Sequence, residues 1–270
     1  MNLLLVGCGK MGSAMLNGWL DQGIPTSDIT IVEPNADAAQ DFQSRLAVNT
    51  VPSVDALPSD YAPDALVLAV KPQIMDQVLP PYAKFVGQSP VFLSIAAGRT
   101  LSSFQSILGM SAAVVRAMPN TPAAIGRGIT VGCPNDHVTD AQSVLCKSLL
   151  SAVGDVEWVA DETLMDAVTA LSGSGPAYIF LLAETMAKAG CEAGLPLELA
   201  ARLARATVAG SGELLHQSLL PASTLRENVT SPGGTTAAAL EVLMSDGGLS
   251  DLMTKAIGAA TKRSKELAGK

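Results

Sequence analysis

Leu3-Leu4-Leu5-Val6-Gly7-Cys8-Gly9-Lys10-Met11-Gly12 is the stretch that decides the fold. Consecutive apolar residues run straight into Gly-x-Gly-x-x-Gly, and a helical pattern from Lys10 to Asp21 follows. Alone, such a glycine motif says little. Leaving a strand and opening a helix, it is the turn that seats a dinucleotide pyrophosphate. Gly7 permits the tight turn, Gly9 lets the backbone approach the pyrophosphate, and Gly12 allows close helix–strand packing. The helix N-terminus offers unpaired N–H donors and a partial positive charge. The expected cofactor contacts are therefore Gly7, Cys8, Gly9, Lys10, Met11 and Gly12.

Outward from this turn, strands and helices alternate. Strands are predicted over Asn2–Val6, Asp28–Val32, Ala65–Ala69, Val91–Ser94, Ala112–Arg116 and Gly128–Val131. Helices are predicted over Ala36–Arg45 and Val138–Ala152. The apolar runs at 65–69 and 91–94 have no polar alternation, as expected of strands covered on both faces. The pattern specifies an α/β Rossmann domain, doubly wound around a mainly parallel sheet. Near residue 160 the character changes to Ala/Leu-rich helices: Ala177–Ala193, Leu197–His216, Thr235–Met244 and Leu249–Ala268. The expected domains are 1–160, dinucleotide-binding, and 161–270, an all-α substrate-binding and dimerisation domain. Helices such as Ala177–Ala187 are apolar on more than one face. So small a helical domain cannot bury them alone, which predicts a homodimer interface.

Glu33 ends the second predicted strand, about 20 residues beyond the glycine turn, where a carboxylate accepts from the adenosine ribose hydroxyls. It would repel a 2′-phosphate, and no Arg follows in Glu33-Pro34-Asn35-Ala36. The cofactor is NADH or NADPH, with Glu33 tilting toward NADH. Ligands of open α/β sheets bind outside the carboxyl ends of strands. Val70, Lys71 and Pro72 follow one such end, and Lys71 reads equally well as a crevice cation or a surface lysine. Ala96, Ala97 and Gly98 follow another and leave room for a flat ring. Met118-Pro119-Asn120-Thr121-Pro122 is a stiff turn on the same crevice.

Composition narrows the function classes. With 48% apolar and 16% charged residues, the 270-residue chain can bury a sizeable core. A net charge of −8 with dispersed Lys and Arg disfavours nucleic acid and anionic membrane. The 4% aromatic content disfavours base-stacking platforms. Cys8, Cys133, Cys146 and Cys191 show neither disulfide nor zinc spacing, so no metal is expected. No apolar run is long enough to span a bilayer. The run at Leu3 enters a glycine turn without a preceding basic stretch, and reads as a strand rather than a secretion signal. A cytoplasmic location is expected.

A second candidate site is Ser231-Pro232-Gly233-Gly234-Thr235-Thr236-Ala237. A glycine-rich loop entering a helix N-terminus cradles an anion. Without Lys or Arg in the motif, a single carboxylate suits it better than a phosphate. The plainer alternative is a capped helix–helix turn. Leu171-Ser172-Gly173-Ser174-Gly175-Pro176-Ala177-Tyr178 is a similar glycine-lined entry to a helix. Neither motif contains His, Lys, Asp or Glu. Oxidising an alcohol needs a base for the hydroxyl proton. A C=N bond can be protonated before hydride arrives, so its reduction needs mainly positioning and a hydrogen bond to nitrogen.

At these residues the chain resembles the pyrroline-5-carboxylate reductase family over essentially its whole length. The resemblance rests on Gly7–Gly12, Val70–Gln73, Ser94–Gly98, Arg116–Ala123, Ala170–Tyr178 and, most specifically, Leu225–Leu240. It implies an NAD(P)H-dependent hydride transfer to the imine carbon of 1-pyrroline-5-carboxylate, a cyclic imino acid, giving L-proline. It also implies dimers through the helical domain, often assembled into a decamer. Carried onto this sequence, Ser231, Gly234, Thr235 and Thr236 hold the substrate carboxylate, and Thr236 also places its hydroxyl near the ring nitrogen. Ala96, Ala97, Met118 and Asn120 bound the nicotinamide. Glu33 departs from the pattern, since NADPH-preferring members carry uncharged or basic residues there. Two rival readings stand beside this one. A β-hydroxyacid dehydrogenase-like oxidoreductase would need a Lys early in the helix after Gly175. A non-catalytic NAD(H) sensor would have no use for the second anion cradle.

Overall fold

Successive side chains of a strand point to opposite faces, so a strand apolar at every position must be covered on both. In the computed structural model, which describes residues 1–269, four strands meet that condition: β1 (Leu3–Val6), β2 (Ile29–Val32), β4 (Ala65–Leu68) and β5 (Val91–Ser94) are buried at every residue. Leu3, Leu5, Ile29, Ile31, Val67 and Leu93 face a core completed by Met15, Leu16 and Trp19 of the helix Lys10–Asp21 and by Leu149 and Leu150 of the helix Asp140–Ser151. Leu4, Val6, Leu66, Leu68 and Phe92 face a second core with Tyr82, Phe85, Phe104 and Leu108. Trp19 Nε1 donates to the Leu149 carbonyl at 2.9 Å, satisfying the one polar atom of a fully buried ring.

The sheet has eight strands in the order β3-β2-β1-β4-β5-β6-β7-β8, with β3 Asn49–Val51, β6 Ala113–Met118, β7 Gly128–Pro134 and β8 Gly154–Trp158. The first six are parallel; β7 runs antiparallel to β6, and β8 parallel to β7. The doubly wound, mainly parallel Rossmann sheet expected from the sequence is present. The strand order reverses between β1 and β4, the switch point at which such sheets open a ligand crevice. β3 and β8 were not predicted. β3 is short and carries little burial, and β8 alternates half-buried with exposed residues at one edge.

The helical part contains Gly175–Glu192, Leu197–Gln217, Ala222–Asn228, Thr235–Leu243 and Leu249–Leu267. The first two helices pack through small residues: a Cβ on Gly190 would lie 3.3 Å from that of Ala200. The short helix 222–228 was not predicted. Compactness divides the chain into Met1–Gly173 with the stretch from Thr261 onward, and Ser174–Ala260. The sequence placed the boundary at 160. The difference lies in two stretches held to the first unit by buried polar contacts. Glu162 pairs with Arg116 at 2.8 Å, and Ser264 donates to Asp166 at 2.8 Å with both residues buried. Within 174–260, the buried apolar side chains are those of Ala200 and Ala204, while Phe180, Leu181, Leu214 and Val242 are each more than half exposed. Apolar helices with so little cover of their own match the expectation of a helix-rich self-association surface.

Candidate active site

The glycine turn is built as its spacing demands. Gly7 adopts φ +79, and its N–H donates to the Val32 carbonyl at 3.0 Å, joining the exit of β1 to the exit of β2. A Cβ on Gly7 would lie 2.7 Å from Cγ1 of Val70, and one on Gly12 would lie 2.8 Å from the Gly7 carbonyl oxygen. Both positions exclude side chains for internal reasons. Gly9 differs, because a Cβ there would meet no atom of the chain within 4 Å. That bareness leaves room for an approach from outside, of the kind a pyrophosphate requires. Gly9 caps the helix Lys10–Asp21 without a side-chain hydrogen bond, and that helix has no acid in its first turn. The donors of the first turn are thus left to an anion. The residues present fit a dinucleotide.

Glu33 stands directly after β2. Its Oε1 accepts from the Asn35 N–H at 3.0 Å, while the Asn35 side chain caps the helix Ala36–Leu46 through Ala38. The Glu33 carboxylate is close enough to the turn to help hold the Cys8 thiol neutral. Burial is the main cause there, pushing the thiol up to about 11 against the lowering effect of its Ser13 contact. Asp37 in the first turn of that helix adds a second negative charge, and Arg45 in its last turn is engaged with Asp41 at 2.9 Å. The exit of β2 is acidic.

The register sets the remaining strand exits side by side, with Val6 opposite Val32 and Leu68, and Leu68 opposite Ser94. Val70 packs on Gly7, and Lys71 is exposed. After β5, Ala96 is buried, Ala97 is exposed and Gly98 takes φ +73. At the end of β6, the Met118 Cε occupies the space that a Gly173 side chain would need. Asn120 commits both ends of its amide to the chain, accepting from the Ile129 N–H at 3.0 Å and donating to the Ser172 carbonyl at 3.2 Å. These bonds fix the turn that follows β6.

The second motif is a separate piece of geometry. Gly233 adopts φ +70, and Gly234 caps the helix Thr235–Leu243 without a side-chain hydrogen bond. The Gly234 N–H closes the turn onto the Ser231 carbonyl at 3.0 Å. A Cβ on Gly234 would press on that carbonyl at 3.1 Å. The first turn holds no acid, Ser231 and Thr235 are exposed, and Thr236 is half-buried. The tip has the two features of the first helix start, an uncapped N-terminus and no local negative charge. Among the described residues, no cluster of His, Cys, Asp and Glu could hold a metal ion, and no helix is long and apolar enough to cross a membrane.

Comparison with known proteins settles the kinship. Two families match: pyrroline-5-carboxylate reductase dimerisation over residues 162–267, and NADP oxidoreductase coenzyme F420-dependent over residues 2–98. The pyrroline-5-carboxylate reductase of Pseudomonas aeruginosa is 39% identical across 98% of this chain and 96% of its own. That of Glycine max is 36% identical across 97% and 94%. The chain belongs to the pyrroline-5-carboxylate reductase family. The solved reductase of Coxiella burnetii superposes with a TM-score of 0.93 at 35% identity, covering 98% of both chains. That of Plasmodium falciparum, solved with NADP bound, gives 0.81 at 29% identity over 99% and 98%. Like its relatives, this reductase-family chain is an oxidoreductase that uses a pyridine nucleotide.

Sequence reasoning missed the polar braces behind these loops. Glu162 joins Arg116 to the start of the helix Leu101–Leu108, and Arg99 joins Asp76 through both carboxylate oxygens. Arg116 carried a signal. A charged residue inside Ala-Val-Val-Arg-Ala must find a counter-charge once the strand is buried.

Proposed function

We propose that this chain reduces 1-pyrroline-5-carboxylate to L-proline, using NADH in preference to NADPH. One observation carries the proposal: the chain builds two uncapped, acid-free helix starts behind glycine turns, and the second has no acid–base side chain within it. The first suits a pyrophosphate. The second suits a small carboxylate whose reaction needs no strong base.

When bound, the reduced nicotinamide supplies the hydride. The chain supplies the rest. Backbone donors of Gly7–Gly12 hold the pyrophosphate, and Cys8, Lys10 and Met11 form its immediate walls. Glu33 has an oxygen to offer the adenosine ribose, which favours the unphosphorylated cofactor. Val70, Lys71 and Pro72 add cofactor contacts beside the glycine turn, and Ala96, Ala97, Met118 and Asn120 bound the nicotinamide, with the Asn120 amide also fixing the Met118 turn. Ser231, Gly234, Thr235 and Thr236 take the substrate carboxylate through N–H and hydroxyl groups at a helix N-terminus. This offsets the repulsion expected from a chain of net charge −8. The Thr236 hydroxyl oxygen accepts from the protonated imine N–H and holds that proton on nitrogen while the carbon is reduced. The β-hydroxyacid dehydrogenase alternative finds no support, since the helix Gly175–Glu192 has no lysine before the exposed Lys188.

The helical unit is proposed to form the homodimer, with decamer assembly built on it. Its exposed apolar side chains and its match to a dimerisation family support this. The four free cysteines favour a reducing, cytoplasmic location. The direct test adds 1-pyrroline-5-carboxylate with NADH and then with NADPH, and follows nicotinamide absorbance. Consumption of NADH with L-proline as product is expected. Binding of NADH without consumption would mark a sensor and end the proposal.

A further inference from the structure

Glu162 lies outside every motif so far, yet one of its oxygens joins the helix that follows one loop assigned to the nicotinamide to the strand that leads into the other. Oε1 accepts from Nη1 of Arg116 at 2.8 Å and from the backbone N–H of Leu101 at 2.8 Å. Leu101 opens the helix Leu101–Leu108 and follows directly on the Ala96–Thr100 loop from β5. Arg116 belongs to β6, two residues before Met118. A single carboxylate oxygen therefore ties the helix start behind the β5 exit loop to β6, two residues short of its end.

The tie has a rigid base. Arg116 is 2% exposed, so its guanidinium depends on the carboxylate for a counter-charge. Leu101 contributes a first-turn N–H, one of the donors a helix leaves unsatisfied. A carboxylate is favoured at that position twice over, by the hydrogen bond and by the helix dipole. The adenosine and pyrophosphate contacts sit elsewhere, on β1 and β2, separated from β5 by β4.

We propose that Glu162 is a positioning residue for the nicotinamide half of the site, setting the distance between the Ala96–Ala97 loop and Met118. The proposal rests on the assignment of those residues to the nicotinamide, and Glu162 acts through them without touching the ring. Its removal frees one wall of the crevice to move against the other. An error of about 1 Å at a reacting ring costs on the order of a hundredfold in rate.

The test uses the full chain and two ligands. ADP-ribose carries the adenosine and pyrophosphate without a nicotinamide, and NADH carries all three. Their affinities, together with kcat, are measured for wild type, Glu162→Gln, Glu162→Ala and the double variant Arg116→Met/Glu162→Met. The double variant removes both charges at once, so it avoids a stranded buried guanidinium if Glu162→Ala fails to fold. For Glu162→Ala and the double variant, ADP-ribose affinity is expected to stay within about twofold of wild type, NADH affinity to fall roughly fivefold or more, and kcat about tenfold or more. Glu162→Gln keeps an oxygen for the Leu101 N–H but takes the counter-charge from the buried Arg116, and is expected to recover kcat only in part, with NADH affinity still reduced more than that of ADP-ribose. A folded double variant with wild-type kcat and NADH affinity would overturn the proposal. So would equal losses for ADP-ribose and NADH. Wild-type protein that binds ADP-ribose but gains nothing from the nicotinamide and shows no turnover would overturn the underlying assignment, and this proposal with it.

Discussion

Gly12 sits so close to Gly7 that a side chain on the one would strike the backbone of the other: a Cβ at Gly12 lies 2.8 Å from the Gly7 carbonyl oxygen and 3.3 Å from the Cβ of Ala69. At Gly9, between them, a Cβ meets nothing of the chain. The two glycines are therefore separable by experiment. Gly12→Ala is expected to lower both stability, by about 1–3 kcal/mol, and nucleotide affinity. Gly9→Ala is expected to leave the unfolding midpoint in place and weaken NADH alone. Thermal unfolding with and without NADH distinguishes them; a Gly9→Ala protein with wild-type NADH affinity would remove the pyrophosphate from this turn.

Cofactor choice should follow the charge at the exit of β2. Glu33 is held by the Asn35 N–H through Oε1, close to the glycine turn. Glu33→Ser removes a full negative charge and keeps a hydroxyl for the ribose. The ratio of kcat/KM for NADPH to that for NADH is expected to rise by roughly tenfold or more, a change of about 1.4 kcal/mol. A ratio that does not move would assign selection to another residue.

At the second helix tip, the Thr236 hydroxyl is the one side-chain group given a role on the reacting bond. Thr236→Ala is expected to cost ~1–3 kcal/mol, or roughly one to two decades in turnover. Thr236→Ser should recover most of it. Turnover unchanged in the alanine variant would take Thr236 out of the chemistry. Gly234→Val should raise KM for the imino acid, because its side chain starts 3.1 Å from the Ser231 carbonyl, inside the turn that forms the cradle.

Alkali should loosen the nucleotide-binding unit as its buried thiols lose their protons. Burial pushes Cys146 up to about 12 and, with Glu33 adding to it, Cys8 up to about 11. A thiol raised in the folded state binds its proton more tightly there than in the unfolded chain. That stabilisation is complete below the ordinary thiol value of 9.0 and is lost as pH rises through 11 and 12. Denaturant midpoints are expected to be flat in this respect up to about pH 9 and to fall above it. Cys8→Ala and Cys146→Ala together should make the fall shallower, leaving the part carried by Tyr82, Tyr61 and Cys133, whose protons burial also holds; a slope unchanged by both would place its origin elsewhere.

Much of this was legible in one dimension because the signals were local. The turn at Gly7–Gly12 and the strands at 3–6, 65–68 and 91–94 each declare themselves within a few residues. The helices Gly175–Glu192, Leu197–Gln217 and Thr235–Leu243 are equally plain. β8 had a signal that was passed over: Asp155-Val156-Glu157-Trp158 alternates with period two, the mark of a half-buried edge strand. β3 had almost none, because three residues at a sheet edge bury too little to need an apolar run. The engagement of Asn120 with Ile129 and Ser172 cannot be read from its neighbours in sequence.

The sequence by itself determined that a strand meets a glycine turn and a helix, that a second bare helix start follows Gly234, and that the chain divides into a sheet-based and a helical part. Backbone conformation and side-chain periodicity act over a few residues, so a short window contains their cause. Tertiary structure alone decided that Arg116 is neutralised by Glu162, that Gly173 makes room for Met118, and that Ser264 returns to bond Asp166. Each pair lies far apart along the chain. A buried charge states only that it must have a partner, and the packing of the whole chain chooses which one.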